Sequence, residues 1–297
     1  MKQAFCLILF ILPICIYSQK IDFESFKYSD SFDSIKMKKK WYYEITENNK
    51  YYLSSDSIDG RLKDNFLITE MNSTGKNGIA KRAEIVTRLY DSIGDTKFSA
   101  LSIKVPESFK YDSINLGRET MISQWHSRPA PGKSWSHYRK HNKYNRPSIA
   151  LLLTTNDNVN FYIIMRYGNN GKQEFDEYGN VWSVVALKKI QLGEWNDFVF
   201  EIKWSDTSDG YIASWVNNEP YTPFNGYNNR VYGANMHNES PVSFKLGQYR
   251  YFDDSNTHLI YYDEYRVGNS FEKVSLYNVW PEMFEEIKEL KFIEDHK

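Results

Sequence analysis

Residues 243–251 read SFKLGQYRY, and this stretch predicts the strand around which the fold is organised. In an extended strand, alternate side chains share a face. Phe244 and Leu246 therefore point to one side and suit a hydrophobic core. The opposite, polar face of the same strand consists of Lys245, Gly247, Tyr249 and Tyr251. We expect Gly247 to leave open space between the ammonium and the phenol, where nothing blocks a bulky ligand.

Two other stretches show the same two-sided pattern. Residues 81–88 read KRAEIVTR and residues 123–127 read SQWHS. Alternation places Gln124 and His126 on one face of the second stretch, opposite Trp125. On the first stretch, the residues that share the polar face are Arg82, Glu84, Val86 and Arg88. We expect the three strands to lie side by side and to form one polar groove.

The rest of the chain contains short alternating segments separated by turn residues. They are residues 51–69 (a hairpin), 98–105, 121–126, 148–154, 160–167, 181–187, 195–204, 210–216 and 259–267. No parallel βαβ rhythm is present, so the pattern predicts an all-β fold, an antiparallel two-sheet sandwich of the jelly-roll kind. One C-terminal helix is expected over residues 281–292, because Pro281 suits a first helical position and apolar residues recur there at helical spacing.

Length and charge narrow the class of protein. The chain has 297 residues, enough for one large β domain, which we place at residues 19–297 with its core at about 41–268. The formal net charge of −1 gives no global field that favours nucleic acid. Aromatic residues make up 16% of the chain, which suits both strands and sugar-binding surfaces. We expect a monomer.

Residues 1–18 have the pattern of a secretory signal. Lys2 precedes an apolar run over residues 4–17 that is too short for a membrane span. A lipoprotein signal through Cys15 is the weaker alternative. Both cysteines, Cys6 and Cys15, fall inside this segment, so a chain cleaved after Ser18 contains no disulfide, no cysteine nucleophile and no cysteine-based zinc site. We therefore expect a secreted protein whose core alone holds the fold.

The residue inventory narrows the chemistry. The sequence contains no G-x-S-x-G elbow, no phosphate-binding glycine loop and no H-E-x-x-H motif. Hydrolysis of a glycoside would need paired carboxylates, and the nearest set, residues 174–177, lies in a predicted loop. The arginine, glutamine, histidine, lysine and tyrosine of the three polar strands suit β-elimination on a uronic acid instead. Removing the C5 proton builds a second negative charge on the sugar carboxylate, which cationic and hydrogen-bonding groups must hold.

Each of these side chains fits a step of that elimination. Arg82 and Gln124 fit a clamp on the carboxylate, and His126 fits a base or a charge neutraliser. Tyr249 fits the acid that protonates the departing O4. It also fits the base if nearby Lys245 and Arg82 lower its pKa. The identity of the base, His126 or Tyr249, stays open at this point.

Three blocks of sequence resemble the jelly-roll polysaccharide lyases, a group that includes alginate lyases, glucuronan lyases and heparin lyase I. The blocks are R-A-E at residues 82–84 followed by Arg88, Q-W-H at 124–126, and K-x-G-x-Y at 245–249. The alginate enzymes have their second arginine two positions earlier, where Val86 stands here. The heparin lyase I-like branch looks closer, given the stretches 195–215 and 262–268. The resemblance implies a concanavalin-like sandwich and an active site of Arg82, Gln124, His126, Lys245 and Tyr249.

Further residues are candidates for substrate binding. Glu84 and Arg88 could orient the site, and Tyr251 lies on its face. The long loop 127–147 is basic, and its Arg128 and Arg139 suit a clamp for sulfate or carboxylate groups. This loop favours a sulfated polymer, heparin-like or ulvan, ahead of glucuronan and alginate. The alternative to a secreted, endo-acting lyase is a non-catalytic carbohydrate-binding module or lectin on the same fold.

No metal is expected to be required. The resemblance alone leaves calcium open as a cofactor, and the loop carboxylates that could bind it are Asp157, Asp253 and Asp254. Their spacing matches no known calcium motif.

Overall fold

The computed structural model describes residues 19–20, 41–46, 48–54, 60–61, 66–127, 132, 134, 147–168, 183–221, 229–236 and 241–281. These residues form two sheets and two short helices. The strands are β1 Gln19–Lys20, β2 Trp41–Ile45, β3 Lys50–Ser54, β4 Phe66–Met71, β5 Lys81–Asp91, β6 Thr96–Lys104, β7 Thr120–Ser127, β8 Ile149–Thr155, β9 Phe161–Tyr167, β10 Ser183–Ile190, β11 Trp195–Lys203, β12 Tyr211–Val216, β13 Glu219–Pro220, β14 Arg230–Tyr232, β15 Val242–Arg250 and β16 His258–Gly268. The helices are α1 Phe271–Val274 and α2 Leu276–Val279.

The predicted antiparallel two-sheet jelly roll is confirmed. One sheet has the strand order β13-β12-β11-β6-β16-β4-β3, with β1 paired to β16 and β14 paired to β12. The other sheet has seven strands in the order β10-β9-β8-β7-β15-β5-β2. The long crossovers between strands distant in sequence are those of a sandwich and not of a simple meander.

The core lies between the two sheets and is built by alternation. Ile85, Phe244 and Leu246 of the seven-stranded sheet are at most 2% exposed and pack in one cluster with residues of the other sheet. Trp125 contacts Phe200 edge-on and lies 4.7 Å from Phe244 between ring centroids. Because these residues point inward, their neighbours along each strand point to the opposite face. We call that outward face of the seven-stranded sheet the site face.

The two short helices cover part of the outer surface of the nine-stranded sheet. Val274 of α1 is buried against Ala100 and Val199, and Phe271 packs on Trp215. Four-residue helices show no sequence periodicity, so the sequence did not predict them. The expected helix at 281–292 lies outside the described residues apart from Pro281, as does the signal segment 1–18. No helix of the described ranges has the length and apolarity to cross a membrane.

The three predicted polar strands are neighbours, as expected. β15 lies between β5 and β7 and pairs antiparallel with both. β2 pairs with the far side of β5 and forms the edge of this sheet within the described part of the chain. Four strands that are far apart in sequence therefore present their side chains on one surface.

Gly247 has a different role from the one expected. Its φ of +128° is a conformation that L side chains rarely adopt. A Cβ there would lie 2.1 Å from the Ala83 carbonyl oxygen and 2.8 Å from the Glu84 Cα. The missing side chain thus allows β15 to approach the backbone of β5, and it does not open space for a ligand. The prediction of ligand space at this position is wrong.

We expect Gly247→Ala to destabilise the protein strongly, because the added methyl collides with backbone atoms that cannot rotate away. The free energy of unfolding should fall by at least about 3 kcal/mol, measured by chemical denaturation. Gly94→Ala is the control, since Gly94 also has a positive φ, +92°, but a Cβ added there would meet nothing within 4 Å. It should cost only about 1–2 kcal/mol, the conformational strain alone. Equal losses in the two variants would contradict the close-approach account.

Candidate active site

The strand register sets the order of the predicted site residues on the site face. Tyr249 lies opposite Arg82, and Lys245 lies opposite Gln124. His126 lies opposite Ser243, one alternation step beyond Gln124. The five predicted catalytic residues therefore share one surface, in the order Tyr249 with Arg82, then Lys245 with Gln124, then His126.

Glu44 joins two of these residues through one carboxylate oxygen. Its Oε2 accepts a hydrogen bond from Lys245 Nζ at 2.9 Å and another from Arg82 Nη1. Burial favours the neutral form of Glu44, but Lys245 and Arg82 outweigh it and hold the pKa of this carboxyl below its usual value. A carboxylate that remains charged between two cations keeps them close to each other despite their repulsion.

The side chains of Glu84 and Gln124 contact each other across β15. Gln124 Nε2 donates a hydrogen bond to Glu84 Oε1, although the two residues stand on β7 and β5, on either side of β15. In the register, Glu84 lies opposite Gly247, which has no side chain to separate them. The Glu84 carboxyl thus holds the Gln124 amide in place while the second amide hydrogen remains to be used.

The environment of Glu84 makes it a weaker acid than an ordinary glutamate. It is fully buried, and its Oε2 has no hydrogen-bond partner among the described residues. Burial raises the pKa of Glu84 to about 7, against the attraction of Lys245 and Arg82 and the hydrogen bond from Gln124. With Glu84 neutral, two cations face one carboxylate, and the cluster carries a net positive charge suited to an anion.

Tyr249 is held as a neutral phenol, the form that its acid role requires. The Arg82 guanidinium lies 4.7 Å from the centroid of the Tyr249 ring, and Tyr251 packs edge-on against it at 5.2 Å. Burial and the Tyr251 hydroxyl raise the pKa of Tyr249, and the opposing effect of Arg82 is smaller. Arg82 lowers this pKa, but by less than burial and Tyr251 raise it, so the condition for a tyrosine base is not met. Tyr249 is therefore better suited to donate a proton than to accept one.

His126 is fixed in one tautomer by its neighbour. Its Nδ1 lies 2.7 Å from the Ser127 carbonyl oxygen, which can only accept a hydrogen bond, so Nδ1 carries the proton. In the neutral ring the lone pair is then on Nε2. His126 and Met121, which lies opposite Tyr249, are five positions apart on β7, about 15 Å along the strand. The Lys245 and Gln124 pair stands between them.

The predicted substrate-binding residues are spread around this cluster. Arg88 is exposed farther along β5, with its guanidinium 5.4 Å from the centroid of the Tyr42 ring. Tyr251 is 59% exposed beside Tyr249, just after the end of β15. Arg128 and Arg139 lie outside the described residues. Tyr249 itself packs on a small apolar patch of the site face formed by Met121, Ala150 and Leu152.

The three loop carboxylates considered for calcium are each bonded to nearby groups of the protein. Asp157 accepts hydrogen bonds from backbone N–H groups within its own turn, at Val159 and Asn160. Asp253 accepts from the backbone of Thr74, and Asp254 accepts from Asn115 and Asn256. Within the described ranges, no group of three or more histidine, cysteine, aspartate or glutamate side chains is placed to hold a metal ion.

Glu44 is the site residue that sequence reasoning missed. The run WYYEI alternates, so Tyr42 and Glu44 share a face in a strand, and this was the available signal. The pairing of β2 with β5 joins residues about forty positions apart, and nothing local in the sequence specifies it. Without that pairing, a single glutamate after two tyrosines resembles an ordinary solvent-exposed residue.

Comparison with known proteins gives a family and a fold. The sequence profile of a family described as polysaccharide lyase matches residues 29–266. A search of curated protein sequences found no significant match.

Three solved structures illustrate the similarity in fold. The chain resembles the endo-β-1,4-glucuronan lyase of the fungus Trichoderma reesei with a TM-score of 0.58 and 17% identity, covering 79% of this chain and 92% of that one. It resembles the alginate lyase Aly36B with a TM-score of 0.51 and 11% identity, covering 86% and 98%. It also resembles the catalytic domain of a glycoside hydrolase family 131 protein from Coprinopsis cinerea with a TM-score of 0.50 and 14% identity, covering 80% and 86%. At such identities the similarity shows the fold alone.

We predict that Glu84 makes the stability of the protein depend on pH. Its pKa of about 7 in the folded chain exceeds the ordinary value of 4.5, so the folded state holds the proton more tightly. Stability should therefore fall as the pH rises from 4.5 through 7, and stay low above that range. Glu84→Gln cannot titrate, so from pH 4.5 to pH 8 its free energy of unfolding should gain about 1–3 kcal/mol relative to the wild type. Denaturation curves at several pH values measure this difference, and a difference independent of pH would contradict the burial argument.

Proposed function

The chain belongs to the polysaccharide lyase family, and on that premise we propose that it is a secreted, endo-acting enzyme that cleaves a uronic-acid polysaccharide by β-elimination. The product carries a 4,5-unsaturated uronate at its new non-reducing end. The observation that supports this proposal is the cluster of Arg82, Lys245, Gln124 and Tyr249 on one face of three neighbouring strands. Membership of a lyase family favours catalysis over the alternative of a sugar-binding module.

The first requirement of the reaction is a clamp for the sugar carboxylate. In the proposed mechanism Arg82 and Lys245 supply positive charge, and Gln124 supplies an amide N–H held in position by Glu84. Loss of the C5 proton increases the negative charge on this carboxylate, so the clamp binds the transition state more tightly than the substrate. The raised pKa of Glu84 favours its protonated form, which does not oppose that charge.

The second requirement is an acid for the leaving oxygen. Tyr249 keeps its proton, because burial and Tyr251 raise the pKa of its phenol. It stands next to Arg82 and therefore next to the clamp. In the proposal Tyr249 donates its proton to O4 as the C4–O4 bond breaks.

The third requirement is a base for the C5 proton. His126 presents a lone pair on Nε2 when neutral, because the Ser127 carbonyl holds the proton on Nδ1. In the register the clamp lies between His126 and Tyr249, so the two approach the sugar from opposite ends of the cluster. This placement supports two separate groups, a histidine base and a tyrosine acid, over one tyrosine that does both.

Two further parts of the proposal rest on other features. The leader-like segment at residues 1–18 supports secretion, and the basic composition of residues 128–146 supports a sulfated substrate, heparin-like or ulvan. Glucuronan and alginate are the next candidates, and they are also the polymers in the names of two enzymes of the same fold. The site strands have further strands on both sides, which suits binding within a long chain.

The proposed activity is tested by the ultraviolet absorbance of the conjugated uronate on a panel of heparin, ulvan, glucuronan and alginate. We expect absorbance to rise on at least one polymer, with oligosaccharides of mixed length as early products. Tyr249→Phe removes the acid but keeps the ring, so turnover should fall by about 100-fold or more while the polymer still binds. A folded wild-type protein that gives no absorbance on any of the four would count against the proposal.

A further inference from the structure

Glu44 occupies a place in the cluster that a substrate carboxylate would need. Its single oxygen Oε2 contacts both Lys245 Nζ and Arg82 Nη1, the two cations that carry the clamp. The geometry is that of one carboxylate bound between an ammonium and a guanidinium. A uronate carboxylate held by the same two cations would meet the oxygen of Glu44 there.

Arg82 and Lys245 cannot bind the Glu44 carboxylate and a uronate carboxylate at full strength at the same time. A second anion beside Glu44 would be repelled by it, and each cation would divide its attraction between the two. The conflict grows during elimination, because the sugar carboxylate gains negative charge. A clamp that kept Glu44 in its centre would therefore gain less binding at the transition state than one from which Glu44 had moved away.

Glu44 is placed so that it can leave, and Glu84 is not. Glu44 stands on β2, which among the described residues pairs only with β5 and is the edge strand of their sheet. Its side chain is 27% exposed, and its partner Arg82 is 33% exposed, so water reaches the pair and can solvate a released carboxylate. Glu84 is 0% exposed and lies on an inner strand. Water weakens the pair of Glu44 with Arg82, whereas Lys245 is 11% exposed and needs another carboxylate in exchange for Glu44.

We propose that Glu44 is a placeholder for the substrate carboxylate. In the free enzyme it holds Arg82 and Lys245 together, and in the complex the uronate carboxylate takes over both contacts while Glu44 turns to solvent. This inference rests on the proposed function, since it takes the uronate carboxylate as the ligand of the clamp. Glu44 is thus a specificity-determining residue, because only a ligand that places a carboxylate on both cations can replace it.

The placeholder is tested by the binding of D-glucuronate and of D-glucose, measured by calorimetry at neutral pH. Glu44→Gln removes the competing charge and keeps the shape, so it should bind glucuronate about five-fold more tightly than the wild type. Its affinity for neutral glucose should not change. On a polymer that the wild type cleaves, the same variant should show a lower KM.

Glu201→Gln is the matched control. Glu201 also pairs with an arginine, with its Oε2 2.9 Å from Arg230 Nη2, but it stands on β11 of the other sheet. This variant should bind glucuronate as the wild type does. Glu44→Asp is a second variant, to be used if Glu44→Gln does not fold. It retains the charge on a shorter side chain, so it should raise the affinity for glucuronate by a smaller factor.

The outcomes separate this inference from the proposed function. Glucuronate binding that is unchanged or weaker in Glu44→Gln, including no measurable binding by either protein, overturns the placeholder. If a polymer is cleaved under that outcome, the proposed lyase activity stands without it. Tighter glucuronate binding by Glu44→Gln supports the placeholder. If the wild type then cleaves no polymer, the placeholder stands and the proposed lyase reaction fails.

Discussion

The site depends on the close approach of two backbones at Gly247. β15 can lie against β5 there only because no Cβ stands between them, since a Cβ would come within 2.1 Å of the Ala83 carbonyl oxygen. That approach places Glu84 opposite a residue without a side chain, and Gln124 reaches it from the other neighbouring strand. β15 presents Lys245 and Tyr249 on either side of Gly247. One conformational constraint therefore positions polar groups from three strands.

Two carboxylates then set the charge of the cluster in opposite ways. Glu44, at the edge of the sheet and in contact with water, stays ionised between Lys245 and Arg82. Glu84, buried behind Gln124, has a pKa of about 7 and can be neutral when the site operates. The ionised carboxylate, Glu44, is thus partly exposed, and the carboxyl with the raised pKa, Glu84, is buried. Such an arrangement stabilises two adjacent cations in the free protein without opposing the anion that replaces Glu44.

Much of the fold could be predicted from the sequence, because alternation is a local property. The patterns in residues 123–127 and 243–251 indicated which side chains lie opposite the polar face, and Trp125, Phe244 and Leu246 are buried as expected. We predicted that these two strands and the strand over residues 81–88 are neighbours because each has a polar face that could contribute to one groove. The family resemblance, carried by three short blocks, agrees with the profile match over residues 29–266.

What the sequence could not supply depends on pairing and burial. Glu44 enters the site only through the register of β2 with β5, and no short-range pattern specifies a register. The direction of the missing Cβ of Gly247 depends on its φ, which the residue type permits but does not determine. The pKa of Tyr249 is raised because burial and Tyr251 outweigh Arg82, a balance that only the three-dimensional arrangement reveals.

The proposed function requires the cations of β5 and β15 to bind the carboxylate of a uronate. The most direct measurement is a crystal structure of the Tyr249→Phe variant with an oligosaccharide of a polymer that the wild type cleaves. We expect one uronate carboxylate within hydrogen-bond distance of Arg82 and Lys245, with the Gln124 amide beside it and Glu44 turned away. A sugar bound to another surface, or one on this face with its carboxylate directed away from both cations, would contradict it.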